Sequence, residues 1–149
     1  LLIGTIDLTE RFLKSDPPRP EEIASLRAEI RNICSAGLET QDSGPKTALV
    51  ALAGTATTLS SVNQKLEKWD PSRIQGSKIS LQELNQMIDR FRRMTHDALR
   101  RTPGMVPGRE DTILAGALIL KEVMTRVGVK ETVVSDRGLR YGLFYREFS

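Results

Sequence analysis

The chain has one cysteine, one histidine and one tryptophan in 149 residues, and aromatic side chains make up only 5% of it. A lone Cys34 rules out an internal disulfide and agrees with a reducing, cytoplasmic setting. Its spacing from Leu26, Ile30 and Ile33 marks it as a small core residue, not a nucleophile. His96 has no Cys, Glu or His at ligand spacing, so no protein-held metal centre is expected. A surface or helix-end role favoured by charge suits it better. No apolar run approaches the ~20 residues that span a bilayer. The longest, around Ile113 to Leu120, stops at Lys121, so no membrane partner is expected. The opening Leu1-Leu2-Ile3 has no basic flank or small-residue cleavage site, so no secretory signal is expected either. A net charge of +3 is too small for a chain that seeks nucleic acid. No two glycines are adjacent, and no repeat or low-complexity segment occurs.

What the chain does have is a distinctive stretch near its middle. Ala48 to Ala53 is a short apolar run without a helical charge pattern, and it predicts a strand buried on both faces. Gly54 follows, where the absence of a Cβ permits a sharp bend or a close approach to a ligand. Thr55, Thr57, Thr58 and Ser60 then place four hydroxyls at a helix start, where unpaired N–H groups and the helix dipole attract anions. Strand, glycine, hydroxyl-rich turn and helix compose a phosphate cradle. The alternative is that Thr55 or Thr57 only caps the helix.

In chain order, Leu2 to Phe12 alternates imperfectly, with Thr5, Ile6, Leu8 and Phe12 fitting a strand that ends near Arg11, and Asp16-Pro17-Pro18-Arg19-Pro20 is a stiff break. Pro20 opens a helix with Glu21 and Glu22 at its positive end and an apolar stripe of Ile23, Leu26, Ile30 and Ile33, closed by Gly37. Gln41 to Pro45 is a loop. The cradle helix runs to about Leu66, and the turn-rich Trp69-Asp70-Pro71-Ser72 follows. Ser80 with Glu83 predicts a capping box, and Ile79 with Leu84 a hydrophobic staple. One helix is then expected through Leu84, Met87, Ile88, Phe91, Met94 and Leu99. Pro103 to Gly108 is a loop, and Glu110 and Asp111 are expected to open a helix apolar almost all round, which Gly128 ends. Its Ala115-Gly116-Ala117 permits close backbone contact. Thr132-Val133-Val134 reads as a second buried strand, and Ser135 or Asp136 caps a last helix through Leu139, Leu143 and Phe144. This order of strands and helices predicts an α/β domain.

Six arginines fall within twenty residues: Arg90, Arg92, Arg93, Arg100, Arg101 and Arg109. The first five read as a solvated helix face, and Arg109 as an anion-binding residue. Ligands of open α/β sheets bind beyond the carboxyl ends of the strands. The turns at Gly54-Thr55 and at Ser135-Asp136-Arg137-Gly138 should therefore open on one edge, with Arg109 in reach. A guanidinium matches phosphate oxygens with several fixed donors. Asp111 is expected to hold the helix start or Arg109. Asp136 either caps the last helix or positions metal or water.

Four blocks carry a family resemblance: Leu8-Thr9-Glu10-Arg11-Phe12, Gly54-Thr55-Ala56-Thr57-Thr58-Leu59, Pro107 to Gly116, and Ser135 to Gly142. In this order and spacing they resemble the Ppx/GppA family of exopolyphosphatases and guanosine pentaphosphate phosphohydrolases. The resemblance implies a partial ribonuclease-H-like domain of the actin-like ATPase superfamily, a mixed sheet flanked by helices. Residues 1–149 would be the second, C-terminal phosphate-binding domain, incomplete at its N-terminal side. The family's Asp-x-Gly-Gly-Gly-Ser loop does not occur here, and its catalytic glutamate belongs to the N-terminal domain, so no catalytic residue is assigned to this chain.

The implied activity is release of terminal phosphate from inorganic polyphosphate or guanosine pentaphosphate, with Mg²⁺ as cofactor and the N-terminal domain of the same protein as partner. The substrate-binding residues would be Gly54, Thr55, Thr57, Arg109, Ser135 and Arg137, and no metal ligand is assigned. The alternatives are a non-catalytic polyphosphate- or nucleotide-binding module and a sugar- or acetate-kinase-like fragment. Tyr141, Leu143, Phe144 and Phe148 either face a second domain or close the core. In the family's strand order the Leu2 and Ala48 strands would be separated by two strands that do not occur here. Unpaired edges of that kind would be expected to pair with a second copy as a homodimer.

Overall fold

β-Branched Thr132, Val133 and Val134 lie in the middle strand of a small mixed sheet, around which the rest is arranged. The computed structural model describes residues 3–37 and 48–138. In chain order its elements are α1 (Thr5–Phe12), α2 (Pro20–Gly37), β1 (Val50–Leu52), α3 (Ala53–Asn63), α4 (Pro71–Ile74), β2 (Lys78–Ser80), α5 (Leu81–Phe91), α6 (His96–Arg100), α7 (Ile113–Val127) and β3 (Glu131–Ser135). The strand order is β1-β3-β2. β1 runs parallel to β3 with Val50 opposite Val133 and Leu52 opposite Ser135, and β2 runs antiparallel with Ile79 opposite Thr132. The α/β class and the mixed sheet with flanking helices are as expected.

The apolar α7 is the core's spine, and α1, α2, α3 and α5 all pack on it. Its own Ile113 and Met124, and Leu8, Leu26, Ile30, Leu59 and Phe91 around it, are fully buried, each worth ~1.5–3 kcal/mol of apolar burial. Cys34 is buried in the same core, and burial raises the thiol above its ordinary pKa. Pro20 opens α2 as expected. Ser80 and Glu83 form the reciprocal capping box of α5: the Glu83 amide donates to Ser80 Oγ at 3.1 Å, and the Ser80 amide to Glu83 Oε2 at 2.7 Å. Gly128 ends α7 in the left-handed region at φ 75°.

Several expectations are corrected. In the stretch expected as a strand Thr5–Phe12 is helical, with Leu8 buried and Asp7 paired to Arg11 one turn on. The imperfect alternation was the first turns of an amphipathic helix. The supposed gap between two first strands therefore does not arise, and β1 pairs directly with β3. β1 is not buried on both faces either. It is an edge strand of three residues, and Val50 and Leu52, on one face, are 50% and 48% exposed. The long arginine-bearing helix is two helices, because Thr95 turns extended and its hydroxyl accepts from the Ala98 amide, starting α6 at His96. α7 opens at Ile113, not at Glu110 or Asp111. The loop from Gln41 to Pro45 and the last helix with its aromatic residues lie outside the described residues. Among the described residues no helix is long and apolar enough to cross a membrane.

Candidate functional site

The sharp bend lies at Ala53, which takes φ 71°, one residue before the glycine expected to supply it. A non-glycine residue in the left-handed region is strained by about 1–2 kcal/mol, and such strain clusters at functional sites. The strand thereby turns directly into α3. That helix has no side-chain cap and no acidic residue in its first turn. Its first amide hydrogens lack the usual intrahelical acceptors, and no carboxylate of its own competes for them. Ala53 is exposed, and Gly54 and Thr55 are half-buried.

Gly54 is needed for a different reason from the one expected. A Cβ there would lie 2.6 Å from Cζ and 3.1 Å from Nε of Arg109, so the guanidinium rests directly on the glycine backbone. Arg109 itself is exposed, and its guanidinium has no hydrogen-bond or ion-pair partner among the described residues. A permanent cation is thus laid over the positive end of a helix, with no carboxylate among the described residues to neutralise it.

The loop before α7 delivers that arginine. At Gly104, φ 87°, the loop backbone meets α3 so closely that a Cβ would be 2.6 Å from the Val62 amide nitrogen. The loop therefore runs along α3 from Ser61 and Val62 to Gly54 at its start. The Arg109 amide donates to the Val106 carbonyl at 3.0 Å, and its carbonyl accepts from Thr112 and Ile113. Next to it Glu110 turns inward, 4% exposed, with Oε1 accepting from Arg100 Nε at 2.7 Å. Its own backbone amide, then Arg100 and the Gly108 amide, hold the carboxyl below its ordinary range against the opposing effect of burial. Asp111 lies 3.7 Å from His96 Nδ1 on α6, and Asp16 lies 3.9 Å from the same nitrogen.

The threonines divide their work. The Thr55 side chain packs on α7 at Gly116, where a Cβ would be 3.1 Å from its hydroxyl and 3.3 Å from Thr5 Cγ2. Three elements, α1, α3 and α7, meet there through small atoms. Thr57 is buried, and its hydroxyl donates within the helix to the Ala53 and Gly54 carbonyls. Neither threonine caps the helix.

The second turn opens on the same edge, since Leu52 and Ser135, the last residues of β1 and β3, are register partners in parallel strands. Ser135 is buried, and its hydroxyl donates to Gln75 Oε1 at 3.0 Å and accepts from the Arg137 amide at 3.2 Å. Its hydroxyl thus shapes the turn, and Arg137 is exposed beyond it. Asp136 Oδ1 is shielded from solvent and has no hydrogen-bond partner among the described residues. Mg²⁺ takes one or two carboxylates and completes its shell with water and phosphate oxygens, so this spare oxygen fits as one ligand. Among the described residues no group of three or more His, Cys, Asp or Glu could hold a metal unaided.

Gly54, Thr55 and Arg109 are therefore brought together, and Ser135 and Arg137 share their sheet edge. Sequence reasoning missed Ala53 as the bend, Gly104 as the residue that registers the loop, and Glu110 as its buried anchor. Only Gly104 gave a signal, as a glycine in a proline-flanked loop. The chain matches the model of the Ppx/GppA phosphatase family over residues 1–149. It is 32% identical over 145 residues to exopolyphosphatase 2 of Mycobacterium tuberculosis, covering 95% of this chain and 46% of that protein. It is 33% identical over 88 residues to a bifunctional 3-dehydroquinate synthase/phosphatase of Fusobacterium nucleatum, covering 59% of this chain and 13% of that protein. The crystal structure of the Aquifex aeolicus Ppx/GppA phosphatase superposes with a TM-score of 0.90 at 28% identity, over 100% of this chain and 48% of that one. The chain thus spans about half the length of the Mycobacterium tuberculosis and Aquifex aeolicus proteins.

Proposed function

The chain belongs to the Ppx/GppA phosphatase family, and on that premise we propose that it grips phosphate for a phosphohydrolase that releases terminal phosphate from inorganic polyphosphate or guanosine pentaphosphate. The observation that carries this is the Arg109 guanidinium, without a partner among the described residues, lying on Gly54 at the uncapped start of α3. Phosphoryl transfer asks a protein mainly for positioning and charge stabilisation. The α3 amides offer donors to two or three phosphate oxygens, and the Arg109 fork offers a bidentate grip. Thr57 and Ser135 contribute by shaping the two turns, and Thr55 by holding the start of α3 against α7. Arg137 brings a further cation to the edge.

Mg²⁺, when bound, would neutralise charge between phosphate oxygens, and Asp136 is the residue here that would help hold it. The carboxylate that orients the attacking water would come from an N-terminal domain facing this edge. Residues 1–149 then act as the second, phosphate-binding domain, in a cytoplasmic bacterial enzyme. The exposed edge of β1 would be where a second copy pairs if the protein dimerises.

In the full-length protein Arg109→Ala should cut phosphate release by more than ~10-fold, the loss of one charge-assisted contact, and leave the melting temperature within ~2 °C, as for an exposed side chain. Unchanged turnover would refute the proposal. Saturable binding of polyphosphate with no phosphate release by the full-length protein would instead support a non-catalytic binding module.

A further inference from the structure

Glu110 is chemically out of place. A carboxylate 4% exposed, beside an exposed arginine, incurs a desolvation cost that its neighbours must offset. Its hydrogen-bond partner is specific: Arg100 Nε at 2.7 Å from the end of α6, while Oε2 is buried with no hydrogen-bond partner among the described residues. Arg100 reaches inward for this contact although 60% of its side chain is exposed. Asp111, one residue on, lies beside α6, 3.7 Å from His96 Nδ1. Glu110 is therefore pinned to one short helix, and Gly104 fixes the other end of the loop on α3. Consecutive side chains in this turn point opposite ways, one into the core and one over Gly54. If the inward one is held, the outward one is aimed.

Resting on the phosphate-binding reading above, we propose that Glu110 is a positioning residue: with Arg100 it clamps the turn so that the Arg109 guanidinium lies over the start of α3, ready for an anion. Glu110 touches no ligand itself. Its Oε1 accepts from Arg100 and its Oε2 is buried, so its effect reaches the anion only through Arg109.

That dependence sets the test. In the full-length protein, affinity for inorganic tripolyphosphate is measured by titration calorimetry for Arg109→Ala, Glu110→Ala and the double variant. Arg109→Ala and Glu110→Ala should each weaken binding about tenfold or more, and the double variant should be no weaker than Arg109→Ala alone, since the clamp has nothing left to aim. Glu110→Gln, which keeps the shape and one carbonyl acceptor, should recover part of the loss. A purely structural role would give losses that multiply in the double variant, and that result overturns the proposal. Normal binding by Glu110→Ala beside weakened Arg109→Ala overturns it too, while leaving the phosphate site standing. No effect of Arg109→Ala removes the site and the clamp together. If Glu110→Ala does not fold by circular dichroism, Arg100→Gln cuts the same clamp from its exposed side. The same non-additivity with Arg109→Ala is then expected, and unchanged binding by Arg100→Gln would overturn the proposal.

Discussion

Gly54→Ala separates the cradle from the fold that carries it. The new methyl would sit 2.6 Å from Arg109 Cζ, well inside van der Waals contact, so one of the two must move. The atom in the way is the end of a long, exposed side chain, so the guanidinium swings off and the backbone stays. Gly54 lies in the first turn of α3 without a positive φ, where alanine is a better helix former by roughly 0.5–1 kcal/mol. Stability should therefore hold or rise slightly. Anion affinity should fall, because a displaced guanidinium forfeits a charge-assisted contact worth ~1.5–3 kcal/mol, or about 10- to 150-fold in the dissociation constant. Thermal melts and calorimetric titration with inorganic tripolyphosphate on the same preparation read both quantities. A variant that melts like the parent and binds like it would show that the Arg109–Gly54 contact has no part in holding phosphate.

Other substitutions probe the frame. Gly104→Ala meets backbone and not a flexible tip, at φ 87°, and should cost about 3 kcal/mol or more; a thermal midpoint unchanged within ~2 °C would disprove the close approach of the loop to α3. Ser80→Ala removes the capping box of α5 and should cost ~1 kcal/mol, read in urea unfolding as a lower midpoint at unchanged slope. Glu83 is held below its ordinary pKa of 4.5 chiefly by the Ser80 hydroxyl, and Glu110 chiefly by its own amide. Groups depressed in the folded state contribute stability that is complete above 4.5 and is lost as pH falls through their lower folded values. Melting temperature should fall on acidification below that point, and less steeply in Glu83→Gln; an equal slope in the two proteins would refute this linkage.

Local signals with short-range physics were legible before the structure. Pro20 at the first position of α2, Ser80 and Glu83 at the start of α5, and Gly128 at the end of α7 each depend on a few neighbours, and each stands where the sequence puts it. The meeting of Gly54 with Arg109 was legible only as chemistry at a strand end, because the loop that closes 55 residues of chain is set by Gly104 against Ser61 and Val62. Thr5 to Phe12 misled because Ile6 and Leu8, two residues apart, would share one face of a strand, whereas in the helix Ile6 is exposed and Leu8 and Phe12, four apart, face the core. Val50 and Leu52 look like core residues by type, but β1 stands at an edge of the sheet. Glu110 could not be read at all: nothing in a Glu-Asp pair says which carboxylate turns inward until Arg100 is seen to receive it.

The most direct measurement is an amide-resolved NMR titration of the ¹⁵N-labelled protein with inorganic tripolyphosphate. Saturable shifts centred on the amides of Gly54, Thr55 and Ala56, with the Arg109 Nε–H resonance moving at the same concentrations, are expected if the start of α3 and that guanidinium hold phosphate together. Binding that leaves those four signals still, and moves others, would contradict it.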